Sequence, residues 1–396
     1  MIQQRIVPTC CNSVEEQFRR HYSKSTLQTD ENGHPQRLGQ FQSKKMSGLT
    51  AAAVGIPEGM VFGVLLQKSR MSAPEHIKAQ MALKDWTMMK TFLSAAGSSA
   101  ISLGLLNLLG VATLHPLNIN LKGNLIGGFI LGTGMTLGGA CPGTVLAQIG
   151  EGVSSAPYTL LGGLLGATAY GALIHHESFK NMVSSTEVAG SHNTLSAYFN
   201  QPMWSIAIPM GIMLISFACG LEKIFPSAKV VDSENNIMKK RQWSPILSGI
   251  VLGSLQIPVN LLIKTALGTS SAFVTLASTC TRHLPLDQSY FSKFYLSAGA
   301  KYVWQLISDF GIVAGSYVAA TMGKTRAPPR KLTTKEKVAA AASGFLLLFG
   351  ARIANGCTSG HGLSGMAQLS VGSMITVASM LAGGIGLGVL LDKMSK

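Results

Sequence analysis

The chain of 396 residues carries only 12% Asp, Glu, Lys and Arg, against roughly 25% in an ordinary soluble domain, and its mean hydropathy is +0.31. This composition argues against a soluble catalytic domain and points to an integral, multi-pass membrane protein with membrane lipid as its surroundings. The formal charge of +15 would suit a nucleic-acid binder, but the cations gather in the tail and loops, at Arg19, Arg20, Lys44 and Lys45, at Lys239, Lys240 and Arg241, and at Lys324, Arg326, Arg330 and Lys331; no nucleic-acid partner is expected.

In chain order, residues 1–46 are polar, mixed in charge and without the apolar core of a signal peptide, and read as a flexible tail. Cys10 and Cys11 in that tail are either unmodified or palmitoylated. Residues 47–174 make a first membrane repeat, with apolar runs at 48–66, 92–114, 124–140 and 157–174. Residues 175–242 follow as an outer loop, a linking apolar run at 203–221 and a basic linker. Residues 243–396 make a second repeat, with runs at 245–263, 297–321, 338–354 and 369–391. A spanning helix needs roughly 20 mostly apolar residues, so the expected fold is an all-α polytopic membrane protein with about eight or nine membrane helices. The positive-inside rule sets the 222–242 and 322–337 loops in the cytosol and the 175–202 loop outside. The basic 67–90 loop competes with the basic tail, which leaves the side of the first span open. The plasma membrane is the default location, with an organelle membrane as the alternative.

The two halves echo one another. Under a shift of about 216 positions Gly128-Phe129 falls on Gly344-Phe345, Gly134 on Gly350 and Cys141 on Cys357. GMVFG at 59–63 matches GIVLG at 249–253, and Ala147-Gln148 matches Ala367-Gln368. Matches in the same order point to an internal duplication, inverted or parallel.

Each half places a cysteine where a helix should break. In GGACPGT (138–144) the glycines permit unusual φ values, and Pro142 removes a backbone donor and disfavours helix at Cys141. Broken backbone at membrane depth is tolerated only inside protein or along a cavity, so Gly139, Cys141, Pro142 and Gly143 are candidate path residues; the alternative is a packing seam with an inert thiol. In GCTSGHG (356–362) Cys357, Thr358, Ser359 and His361 stand among Gly356, Gly360 and Gly362. Hydroxyls, thiols and backbone N–H groups there can donate to an anion. His361 either donates too, or only satisfies the local backbone. Arg352 lies inside an apolar run, where a charge is functional or snorkels to the membrane face. Gln148 and Gln368 either line the path or tie helices together. Glu58 and Asp309 are further acids within apolar runs, available to a cation or a proton.

The six cysteines form neither CxxC pairs nor a secreted disulfide pattern, no metal-ligand cluster stands out, and there is no phosphate-cradling GxxxxGKS/T loop. No cofactor and no ATP-driven pumping are expected. Cys357 and His361 are four residues apart, which leaves open a thiol enzyme passing sulfane sulfur through a cysteine persulfide.

The GGACPG string at 138–143, GCTSGHGLSG at 356–365 with Arg352 ahead of it, and LLQKSRMS at 65–72 resemble the YeeE/YedE family of sulfur-compound transporters. The likeness covers roughly residues 48–391. It implies a helical, hourglass-shaped membrane protein with cysteine loops at its central constriction, where thiosulfate passes from thiol to thiol by S–H hydrogen bonds. Carried over, this makes Cys141 and Cys357 path residues, a small sulfur-containing anion the ligand, and a cytosolic sulfur-carrier or sulfurtransferase protein a possible partner. One departure is plain: family members often carry a further cysteine just after the Ser-Arg of the first-helix segment, where this chain has Met71-Ser72.

Overall fold

The computed structural model describes residues 28–29, 35–36 and 48–394, apart from 185–192, 228–234, 283 and 285–286. The chain divides into two units, residues 1–46 and 47–396. In the first, Gln28–Thr29 pairs antiparallel with Pro35–Gln36; Cys10 and Cys11 lie outside the described residues. The second unit is helical and holds everything that follows.

Its principal helices are α1 Gly48–Lys68, α2 Pro74–Met81, α3 Thr87–Leu108, α4 Leu121–Gly138, α5 Pro142–Glu151, α6 Ala156–Leu173, α7 Met203–Ile224, α8 Pro245–Ser254, α9 Ser270–Thr281, α10 Ala300–Met322, α11 Thr334–Ile353 and α12 Val371–Met394. By length and composition six segments can cross a membrane: α3, α4 with α5, α7, residues 245–263, α10 and α12. A seventh is added if α6 and the short helix Glu177–Val183, bent by 111°, are one broken span. Every apolar run expected to be a membrane helix is helical over most of its length, although the 92–114 run leaves the helix after Leu108. α1 and α11 are not among the six; α11 opens on Lys335-Glu336-Lys337.

Lipid does not drive helices together as water does, so close backbone approach through small residues does much of the packing. On α1, Gly55, Gly59 and Gly63 recur every fourth residue and meet Trp304, Ser308 and Ile312 of α10, while Gly311 and Gly315 of α10 face α1 in return. A Cβ at Gly59 or Gly63 would run into the α10 backbone. α8 packs on α3 in the same way, through Gly249 and Gly253. α6 packs on α11 through Gly162 and Gly166, and α12 packs on α4, where Gly132 meets Met380. α4 and α11 also lie against each other.

Both cysteine segments interrupt helices. α4 ends at Gly139, left-handed at φ 61°, with Pro74 packed beside it, and α5 begins again at Pro142. α11 ends just before Asn355, also left-handed at φ 61°, and residues Gly360–Gly365 wind as a wide π-helical turn ahead of α12. Lys90 of α3 is buried and bound by Glu222 (2.6 Å), the Phe225 carbonyl (2.8 Å) and Ser227 (2.7 Å).

Candidate functional site

The two breaks meet at one small cavity of about 20 Å³, lined by Cys141, Gly143 and Thr144 from the first and by Thr358, Ser359 and Leu363 from the second. Phe62, Leu66, Met71, Phe92 and Leu252 complete its wall. That volume suits about one water molecule, so in this conformation the constriction is closed to a larger solute.

Cys141 caps α5. Its N–H donates to Thr144 Oγ1 (2.6 Å), and the Thr144 N–H donates to Cys141 Sγ (3.4 Å). This reciprocal cap fixes the thiol at a helix N-terminus, with Pro142 at the first helical position, where its missing donor costs nothing. Gln148, a turn further on, donates to the carbonyls of Gly139 (2.7 Å) and Ser72 (2.8 Å). It braces the break and does not line the cavity.

Cys357 is 1% exposed. Its Sγ lies 3.2 Å from Ser359 Oγ and 3.6 Å from Thr269 Oγ1, and the two hydroxyls are 3.4 Å apart. The result is a triangle of one thiol and two hydroxyls. Thr269 stands just before α9, beside Gly143 of the first break, and was not among the candidates read from the sequence; the only hint was its place in a polar GTSS string at 268–271 after an apolar run. Thr358 turns the other way, donating toward the sulfurs of Met135 (3.5 Å) and Met380 (3.4 Å). The His361 ring is occupied at both nitrogens. Nε2–H donates to the Ala354 carbonyl (3.0 Å), which leaves Nδ1 to accept from Ser373 (3.0 Å). It packs against Gly356, where a Cβ would meet the ring.

Beyond Cys357 a cavity of about 350 Å³ opens, with Gly356, Gly360, Arg352, Gln368, Lys301 and Gln305 in its wall. Among the described residues its lining includes no Asp or Glu. The Arg352 guanidinium stacks 5.2 Å from the Phe294 ring centre and donates to Tyr290 (3.0 Å), while Lys301 sits 4.9 Å from the Tyr302 ring centre. Among the described residues no carboxylate lies within ion-pair distance of Arg352, so aromatic faces hold the cation and leave its charge free to act on the cavity. Gln368 accepts from the His115 N–H (2.7 Å) and donates to the Ser364 carbonyl (3.3 Å). The vestibule lies at the end of α10 that carries Lys301, away from the 322–337 loop.

On the other side of the constriction the wall is apolar. Met71 lines the cavity and the neighbouring Ser72 does not: its hydroxyl donates to Glu151 and to the Leu66 carbonyl (3.2 Å). Cys219 and Cys280 are exposed on the helix surface, away from both cavities.

The family model described as sulphur transport matches residues 68–386. The thiosulfate transporter TsuA of Spirochaeta thermophila is 28% identical over 345 residues, covering 83% of this chain and 96% of that protein. The thiosulfate transporter TsuA of Escherichia coli is 24% identical over 345 residues, covering 83% of this chain and 91% of that protein. The family match takes in both cysteine breaks, the vestibule and the helices that frame them, and the chain is a member of the sulphur-transport family.

Proposed function

We propose that the protein carries thiosulfate, or a small sulfur anion of like charge, across the membrane from the Arg352–Lys301 vestibule past Cys357 and then Cys141. The observation that carries this reading is the meeting of the two cysteine breaks at one narrow cavity, with a cation-bearing vestibule on one side whose described lining holds no acid. Both relatives bear the name thiosulfate transporter.

In this reading each group has a task its chemistry suits. Arg352 and Lys301 raise the local concentration of anion without gripping it at the constriction. Cys357, Ser359 and Thr269 then offer three weak, neutral donors to the anion, and Cys141 takes it next. Neutral S–H and O–H groups bind an anion firmly enough for entry and loosely enough for release. Gly139, Pro142, Gly143, Gly356 and Gly360 shape the two breaks, and Gln148, Gln368 and His361 hold them in place. Thr358, donating into sulfur, completes the wall opposite Cys141.

The same reading takes residues 47–174 and 243–396 as two repeats of opposite orientation. Reciprocal packing supports it: α1 pairs with α10 as α8 pairs with α3, and α6 pairs with α11 as α12 pairs with α4. With the 322–337 loop in the cytosol, the vestibule faces outward and transport is inward.

The test is uptake of labelled thiosulfate into proteoliposomes by the purified protein and by Cys141→Ala and Cys357→Ala. Each variant is expected to lose most of the uptake while keeping its melting temperature; unimpaired uptake in both refutes the thiol path. Intact-mass measurement after thiosulfate exposure separates transport from sulfur transfer: transport leaves both thiols unmodified, whereas a stable persulfide on Cys357 marks the thiol enzyme.

A further inference from the structure

We propose that Glu58 and Asp309 form a proton-binding carboxyl pair beside the anion path, so that anion and proton cross together; the inference rests on the transport reading above. Glu58 of α1 and Asp309 of α10 are 6% and 5% exposed. Neither takes part in an ion pair among the described residues. Glu58 Oε2 accepts from Ser308 (2.5 Å), but Glu58 Oε1 and Asp309 Oδ1 are buried with no hydrogen-bond partner. A carboxylate at membrane depth without a cation is costly. A proton is the ligand that neutralises it and needs no further space.

The pair's position ties it to the path. Gln305, Asp309 and Val313 follow one another at single-turn spacing along one face of α10. Gln305 lines the vestibule and bonds the Gly268 carbonyl, next to Thr269, while Val313 and Ser316 meet Gly150 of the Cys141-capped helix α5. Asp309 therefore sits between vestibule and inner helix. Cys357 and Glu58 are the ionisable groups close enough to act on it electrostatically.

The other elements packed on this pair bring few titratable groups. α8, against α1, has none. α9, against α10, has only the exposed Cys280. α5 contributes Cys141 and Glu151, and Glu151 is bound to Ser72 at the far end. Trp304 lines the vestibule one turn outward of Ser308, and its buried Nε1–H is likewise unpartnered. A second unpartnered buried polar group thus lies on α10 one turn from the Ser308 that donates to Glu58.

With Asp309 ionised, a divalent anion at Cys357 meets a third negative charge in an apolar surround. A hydronium ion in the vestibule gives its proton to the Asp309 carboxylate, forming an O–H bond there and leaving water, and so removes that charge. The bond breaks to inner water once the anion has left, and Glu58 relays the proton or takes a second one. Anion entry is then anion–proton symport.

The experiment uses the full-length protein in proteoliposomes with the membrane potential clamped and a pH dye inside. Labelled thiosulfate is added with and without an acid-outside gradient. The expected results are a several-fold faster uptake under the gradient and an internal acidification that needs thiosulfate. Asp309→Asn and Glu58→Gln are expected to lose both responses, and Asp309→Glu to regain them. Thiosulfate uptake by the unaltered protein with no gradient response and no acidification overturns the pair's role and leaves the transport reading intact. Acidification that persists in a transporting D309N or E58Q also overturns it, as does a folded D309E that transports without proton movement. Absence of thiosulfate uptake under every condition refutes both readings.

Discussion

Replacing Thr269 by Val removes one hydroxyl and almost nothing else, because the two side chains share shape and β-branching. Thr269 Oγ1 lies 3.6 Å from Cys357 Sγ and 3.4 Å from Ser359 Oγ, both long contacts. Cys357 and Ser359 keep each other at 3.2 Å when it goes. The folded protein therefore loses about 0.5–1 kcal/mol at most, the lower end of a neutral hydrogen bond's net worth. A bound anion loses more, since a hydrogen bond to a charged group contributes about 1.5–3 kcal/mol. At 1.4 kcal/mol per factor of ten, half-saturation for thiosulfate should rise about ten- to a hundredfold. Initial uptake rates across a range of thiosulfate concentrations measure this directly, with the melting temperature in detergent as the control and Thr269→Ser as the variant that restores the donor. A T269V protein whose half-saturation stays within twofold of the unaltered protein refutes the donor triangle.

Three further substitutions probe the frame and the vestibule. Arg352→Gln takes away one of the two cations lining the vestibule; uptake at low thiosulfate should fall several-fold while the saturating rate changes less, and equal loss at both concentrations would speak for a collapsed loop. Gly63→Ala drives a methyl group into the α10 backbone at Ile312; overpacking of this kind costs about 1–3 kcal/mol and should lower the melting temperature, so an unchanged value would mean that α1 and α10 separate freely. Asp85, in the loop ahead of α3, is pushed up by burial, but hydrogen bonds from His76 (2.8 Å) and the Thr87 N–H (2.6 Å) outweigh this and hold its carboxyl at about 2, below the usual 3.8. Its contribution to stability is then fully present above the ordinary carboxylate range and lost as pH falls through about 2. Thermal unfolding between pH 5 and pH 2 should show that loss in the unaltered protein and not in Asp85→Asn.

What the sequence revealed and what it withheld follow from the range of the interactions. The breaks were legible because Gly139, Pro142 and the glycines around Cys357 act on their own backbone. The apolar runs were legible for the same reason, and each is largely helical. Thr269 was not, since it reaches Cys357 across 88 residues of sequence, and no local pattern marks a hydroxyl that arrives from another helix. The alternatives left open for His361 and Gln148 depended on where their polar atoms point. His361 is taken up by Ala354 and Ser373, and Gln148 by Gly139 and Ser72. Of the Met71-Ser72 pair, Met71 is the one that lines the cavity, and nothing local in the sequence tells the two apart. The vestibule is the least local feature of all, drawing Lys301, Arg352 and Gln368 from three segments.

The proposed inward passage of a dianion must overcome a membrane that is negative inside, and the proposed arrangement answers that difficulty. Each elementary charge carried across 100 mV costs about 2.3 kcal/mol, so a divalent anion alone faces about 4.6 kcal/mol, and one accompanying proton halves that. Full positive charges at the constriction would lower the barrier for entry but would also trap the anion there. In the structure the cations stand in the wide vestibule, the constriction holds thiol and hydroxyl side chains, and the buried acids Glu58 and Asp309 lie on the α1–α10 seam. Reversing any one of these placements makes a specific failure. A cation at the position of Thr269 should raise affinity and lower turnover, whereas a permanent carboxylate charge beside Cys357 should repel the anion until it is neutralised. If both proposals hold, the thiols and the carboxyl pair act as one device, in which weak donors set the rate of passage and the proton sets its direction.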